Sequence, residues 1–128
     1  MPRYVIDSYA WIEYLVGSIK GMKVKEIVES ENNEIITPTI VLAEVTSITQ
    51  REERNAEEAY KMILGLTKTQ NLQSEDAKEI GLLHAEMRKK IKDFGMADTV
   101  VLHTARRLVA KVVTGDPHFK GFKEVIML

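Results

Sequence analysis

Four carboxylates carry the chemistry open to this chain: Asp7, Glu44, Asp98 and Asp116. Asp7 follows the apolar pair Val5-Ile6, where a buried strand should end and a helix begin. Asp116 stands in Thr114-Gly115-Asp116-Pro117, just after the apolar pair Val112-Val113. The other two lie on the wrong side of their helices. On a wheel of about 100° per residue, Val41, Val45 and Ile48 define an apolar face, and Glu44 falls between Ile48 and Ile40, inside it. Asp98 has Val101, Leu102, Ala105 and Val109 at i+3, i+4, i+7 and i+11, so it sits within the apolar stripe of its own helix. A carboxylate buried alone is costly and must be paired, protonated or bound to a cation.

Each acid has an ordinary alternative use. Asp7 suits a helix N-cap, and Glu44 suits an ion pair across the core. Asp98 suits a helix N-terminus, and Asp116 suits a turn. Four acids expected at one sheet edge argue for a shared purpose. In open α/β sheets, ligands bind outside the carboxyl ends of the strands. Carboxylate oxygens suit hard cations such as Mg²⁺, which often bridges to phosphate. Two such ions clamp an in-line phosphoryl displacement. Thr114, two residues before Asp116, is placed to steady a carboxylate or a bound water, and is equally an ordinary β-branched strand residue.

The elements that must position these acids alternate between strand and helix. Arg3 to Ile6 reads as the first strand and Ser8 to Val16 as a helix, with Trp11, Ile12, Leu15 and Val16 at helical spacing. Gly17-Ser18 ends it, and Met22 to Ser30 forms a second helix with Val24, Ile27 and Val28 inward. Glu34 to Thr37 is a strand. Pro38 suits the first turn of the next helix, from about Thr39 to Gln50, with Thr37 or Thr39 as cap. Asn55 with Glu58 resembles a capping box for a helix ending near Gly65. Thr69 to Gln73 reads as a short strand, and Ser74 caps a helix with the stripe Ala77, Ile80, His84, Met87 and Ile91. Asp93-Phe94-Gly95 breaks it. Ala97 to Ala110 is a helix, Lys111 to Thr114 a strand and Val125 to Met127 a last strand. Such alternation implies an α/β fold: a central parallel sheet with helices on both faces.

Composition sets the outer limits. The 128 residues suit a single domain, residues 1–128, with one core. Hydrophobic residues make up 45% and charged ones 29%, so the chain should fold. A formal net charge of −1 makes no global case for nucleic acid, so any basic surface must be local. The absence of cysteine excludes disulfides, thiolate metal sites and a cysteine nucleophile. Met1-Pro2-Arg3-Tyr4 begins no apolar leader, and no apolar run approaches membrane-spanning length. A cytoplasmic location, with no membrane partner, is expected.

With the acids placed, the chain resembles a PIN-domain ribonuclease, and among these the small VapC-type toxins of prokaryotic toxin–antitoxin pairs. The matching pieces are Val5-Ile6-Asp7-Ser8, Pro38 to Glu44, Ala97 to Ala105 and Val113 to Phe119, in order over essentially the whole length. The resemblance implies a PIN-like three-layer fold and a Mg²⁺- or Mn²⁺-dependent endoribonuclease. It implies that Asp7, Glu44, Asp98 and Asp116 bind metal with Thr114 in support. It also implies an RNA substrate, an antitoxin partner and a homodimer. The pattern departs at Tyr9, where such toxins usually carry Ser, Thr or Asn.

The rival readings are weaker. A haloacid-dehalogenase-like phosphotransferase needs a second Asp two residues after Asp7, where Tyr9 stands. A response-regulator receiver needs paired acids at the first strand end and a late Lys, and neither is evident. A PIN fold kept as a weakly active or inactive binding module is the alternative that metal titration would separate. Arg88-Lys89-Lys90 and Arg106-Arg107 are solvated faces or contacts for RNA phosphates. His84 reads as a core histidine, His103 as surface and His118 as a turn histidine within reach of substrate. Trp11 and Tyr14 should pack, or serve a partner groove if partly exposed.

Overall fold

The computed structural model describes residues 1–128. Strand β1 (Arg3–Ile6) is short and apolar, and its second half is fully buried. It leads into α1 (Ser8–Val16) and α2 (Ile19–Val28), then β2 (Glu34–Pro38). Next come α3 (Thr39–Arg51), α4 (Ala56–Leu64) and β3 (Lys68–Gln70). The long α5 (Ser74–Lys90) and α6 (Met96–Leu108) precede β4 (Lys111–Thr114), a 3-10 turn at Pro117–Phe119 and β5 (Val125–Met127).

All five strands are parallel, in the order β3-β2-β1-β4-β5. The chain therefore steps outward from β1 to β2 to β3, then crosses back to β4 on the other side of β1. Right-handed crossovers put α1 to α4 on one face and α5 and α6 on the other, which makes three layers. The order reverses between β1 and β4, where Val5 lies opposite Val112 and Ile6 opposite Val113. One cluster of 21 buried apolar residues spans the sheet and both helical layers. No helix is long and apolar enough to cross a membrane.

Local signals place most boundaries. Gly17 adopts φ 72° and closes α1 by donating to the Glu13 and Tyr14 carbonyls, the left-handed stop that glycine favours. Asn55 caps α4 by accepting the Glu58 N–H at 3.0 Å. Elsewhere tertiary partners override the local reading. Helix α2 begins at Ile19 rather than Met22, because Ser18 accepts the Gly21 N–H at 2.9 Å. Thr37 does not cap α3: its hydroxyl accepts the buried Trp11 indole N–H at 3.0 Å and meets Thr67 at 2.9 Å. Pro38 stands at the N-cap instead, with no side-chain bond, so it precedes the first turn. Ser74 lies inside α5, behind an N-cap Gln73.

The last turn of α6 departs most. Val109 was expected on the apolar stripe, but it leaves the helix at φ 52° and is 87% exposed. The Ala110 N–H returns to the Ala105 carbonyl at 2.8 Å, and this turns the chain into β4. A β-branched residue in the left-handed region is strained and here gains no burial in return. Val109→Asn should therefore stabilise the protein by about 1 kcal/mol. A thermal melt showing no gain would mean that this turn carries no strain.

Candidate active site

Asp7 sits where β1 hands over to α1, at the reversal of strand order. Its backbone N–H extends the ladder to the Val113 carbonyl at 3.1 Å. The residue occupies the N-cap position of α1, but its side chain makes no capping bond. The carboxylate instead accepts the Thr114 hydroxyl at 2.8 Å, across a sequence separation of 107 residues. Thr114 is fully buried, and the same hydroxyl accepts the Asp116 N–H at 3.0 Å. One threonine thus ties the acid after β1 to the turn after β4.

Asp98 lies in the first turn of α6. Its Oδ2 accepts the Gly95 N–H at 3.0 Å, so part of its ordinary helix-terminal role is real. The rest of the carboxylate faces the turn after β4. There His118 Nδ1 lies 3.4 Å from Asp98 Oδ2 and 3.5 Å from Asp116 Oδ1. Asp116 Oδ1 also accepts the His118 N–H at 2.9 Å, which fixes the 3-10 turn. Glu44 is half-buried on α3 and pairs with no Lys or Arg, so it is not a core ion pair. Its wheel neighbour Ile40 is 42% exposed. The face that looked continuous on the wheel is therefore the rim of the core at the sheet's carboxyl edge.

The electrostatics follow from crowding acids at a buried edge. Burial pushes the Asp7 carboxyl up to about 7, against the bond from Thr114, and the charges of Asp98 and Glu44 push the same way. Glu44 is raised by burial and by Asp98, with the Ser8 hydroxyl working against the shift. Asp98 is raised by burial and by Asp116, while the Gly95 N–H lowers it. No Lys or Arg pairs with any of the four, and His118 is the sole basic side chain in salt-bridge reach.

One carboxylate oxygen each from Asp98 and Asp116 and the His118 ring nitrogen lie within 4.8 Å of one another. His118 Nδ1 is buried and has no hydrogen-bond partner. An unpartnered nitrogen turned toward two carboxylates is a donor set that fits a divalent cation. Asp7 and Glu44 lie outside that tight group, and the charge of Asp98 raises both. A second acid–histidine group, Asp76, Glu79 and His103, differs in kind. Arg107 pairs with Asp76, and Glu79 Oε2 takes His103 Nε2 at 3.0 Å, so its charges are satisfied internally.

Other residues fall as follows. Tyr9 offers Asp7 nothing. Its ring lies over Gly115, where a Cβ would meet the Tyr9 ring at 2.2 Å, and its hydroxyl accepts from Lys20 Nζ at 3.0 Å. Position 9 is therefore not needed to hold Asp7, because Thr114 does so. Trp11 is fully buried and offers no partner surface, and Tyr14 bonds Glu29 at 2.7 Å. Arg106 and Arg107 are paired with Glu124 and Asp76 rather than free for phosphates. His84 packs as expected, with Nε2 3.1 Å from the Phe94 carbonyl. His103 is more enclosed than expected, at 15% side-chain exposure. Arg51, which helical periodicity does not mark, lines an open groove with Glu44, Ser47 and Ile48. A neighbouring cleft reaches Asp116 past Ser8, Tyr9, Ile12, Glu13 and the same Ile48.

Fold and site together define a three-layer parallel α/β domain with an acidic crevice at its switch point. The PIN domain family model matches residues 4–125, and the chain belongs to that family. No curated protein matches the sequence. Among solved structures, the chain is similar to VapBC2 from Rickettsia felis bound to a promoter DNA fragment. That match has 19% identity and a TM-score of 0.73, covering 98% of this chain and 97% of that one. It is also similar to VapC20 from Mycobacterium tuberculosis, a sarcin–ricin loop cleaving toxin, at 16% identity and TM-score 0.77 over 95% and 98% of the two chains. A toxin–antitoxin complex from Klebsiella pneumoniae matches at 19% identity and TM-score 0.70 over 97% and 96%. At these identities the likeness is one of fold.

The raised Asp7 carboxyl makes stability depend on pH. A carboxyl whose folded pKa exceeds its unfolded value favours folding when protonated. That contribution is fully present below about pH 4 and is lost as pH rises through about 7. In Asp7→Asn the amide oxygen can still accept the Thr114 bond, but no charge develops. Melts in EDTA from about pH 4 to about pH 8 should show the parent losing a few kcal/mol relative to Asp7→Asn. Parallel profiles would mean that Asp7 titrates as an ordinary acid.

Proposed function

We propose that this chain is a Mg²⁺- or Mn²⁺-dependent endoribonuclease, the toxin of a VapBC-type toxin–antitoxin pair, acting in the cytoplasm. The observation that carries the reading is the convergence of Asp98 and Asp116, beside a raised Asp7, with no Lys or Arg to neutralise them. Asp7, Glu44, Asp98 and Asp116 would hold the metal. A divalent cation there supplies Lewis-acid chemistry, screening phosphate charge and making a water more acidic.

The chain's own groups do the positioning. Thr114 holds the Asp7 carboxylate in one orientation, and the Gly95 N–H holds Asp98. The two clefts that share Ile48 lead from Asp116 to Glu44 and Arg51, a path along which an extended RNA strand can lie. Arg51 at its far end is the cationic contact for a neighbouring phosphate. Hydrolysis by this route leaves 5′-phosphate and 3′-hydroxyl ends. A homodimer and an antitoxin that covers the acidic crevice belong to the same reading. An antitoxin arginine entering there would satisfy carboxylates bidentately and replace the metal's charge. The structural neighbours that are toxin–antitoxin complexes support this partner.

Single-stranded or looped RNA incubated with the protein and Mn²⁺ should be cleaved, and excess EDTA should stop cleavage. Asp98→Asn should abolish cleavage yet leave the metal-free melt at neutral pH unchanged, or higher by about 1 kcal/mol, because one mutually repelling charge is gone. Cleavage retained in a clearly destabilised Asp98→Asn would assign Asp98 to architecture and remove it from the site. Cleavage that survives EDTA would remove the metal altogether, and a protein that binds Mn²⁺ but cleaves no RNA would be a binding module.

A further inference from the structure

We propose that His118 is itself a metal ligand, through Nδ1. With Asp98 and Asp116 it makes a mixed nitrogen–oxygen site that takes a first-row transition ion in preference to Mg²⁺. The inference rests on the four-acid reading above and adds to it the identity of the ion.

Nδ1 sits among acids and is poorly bonded. It is buried without a hydrogen-bond partner. Its two nearest charged neighbours are Asp98 Oδ2 at 3.4 Å and Asp116 Oδ1 at 3.5 Å. Both distances exceed the usual range of about 2.7–3.2 Å for N–H···O bonds. A proton on Nδ1 would therefore be poorly used. Unprotonated, Nδ1 presents a lone pair beside two carboxylate oxygens, three donor atoms for one divalent cation.

The ring is held for this purpose rather than free to turn away. Its own N–H on the backbone is anchored to Asp116 Oδ1 at 2.9 Å. Behind it the fully buried Phe94 ring lies 6.3 Å from the imidazole and packs edge-on to Phe119 at 5.7 Å. The side chain is 34% exposed even though Nδ1 is buried, so the edge away from Nδ1 reaches solvent. That arrangement matches a histidine that ligates through one nitrogen and keeps a proton on the other. Imidazole nitrogen raises affinity for transition ions, whereas Mg²⁺ favours oxygen ligands and retained water.

The test is pulsed electron paramagnetic resonance on the full chain loaded with Mn²⁺, joined to calorimetric titration with Mn²⁺ and with Mg²⁺. The Mn²⁺ signal of the parent should carry coupling to a directly bonded nitrogen. In His118→Gln that coupling should vanish and Mn²⁺ affinity should fall at least about tenfold, with a smaller loss for Mg²⁺. Bound Mn²⁺ without nitrogen coupling in the parent overturns the proposal, and this spectrum needs no variant to fold. If Mn²⁺ then still depends on Asp98, shown by its loss in Asp98→Asn, the four-acid reading survives alone. A parent that binds no Mn²⁺ overturns both.

Discussion

The parallel pairing of β1 with β4 is the constraint on which the rest of the molecule depends. It brings Tyr4, Val5 and Ile6 into register with Lys111, Val112 and Val113, from opposite ends of the chain. Both strands are buried through their second halves, so the pairing is also the centre of the core. Because the strand order reverses there, the helices that follow β1 and precede β4 leave on opposite faces and leave a gap at the carboxyl edge. The bond from Thr114 to Asp7 spans that gap. Without the pairing, neither the buried carboxylate nor the turn carrying Asp116 and His118 would have a fixed place.

The site is built against the preferences of the fold. Asp7 is 3% exposed and has one side-chain hydrogen bond, a poor environment for a charge. Its raised pKa reflects the cost of that placement. Asp98 and Asp116 add repulsion that a lysine or arginine could have relieved, and none does. Elsewhere the protein pairs charges: Arg106 with Glu124, Arg107 with Asp76, and, at the opposite edge of the sheet, Arg3 and Lys68 with Glu34. The four acids at the carboxyl edge have no Lys or Arg partner, and His118 is the one basic side chain beside them. The core must offset this cost, and a single apolar cluster running through both helical layers supplies the stabilisation.

Departures from the sequence-based expectation share one cause. Thr37 was a plausible helix cap until a tryptophan from α1 reached its hydroxyl. Val109 fitted the helical stripe until the chain had to turn into β4. Arg106 and Arg107 looked like a basic patch until Glu124 and Asp76 claimed them. In each case a residue far away in the chain decided between locally equivalent uses. Tyr9 shows the same from the other side. It broke the expected polar pattern, yet it stacks on a glycine that has no side chain to resist it, and the polar support comes from Thr114.

The sequence by itself determined the alternation of strands and helices and the parallel α/β class, and it marked four acids as candidates, because residue periodicity and helix stops are local and short-ranged. Asp7, Asp98 and Asp116 stood out as candidates because each violates its element's pattern or follows a buried strand. Glu44 stood out for the same reason, although its face proved to be a rim. Only the tertiary structure decided which acids share a space, that Thr114 is the link between them, and that Arg51 shares a groove with Glu44. It alone brought His118 into the acidic group, since a histidine two residues after an aspartate reads as part of a turn. These facts depend on strand order and on the packing of side chains from separate elements. Strand order is settled by the whole core at once, and no local window of sequence contains it.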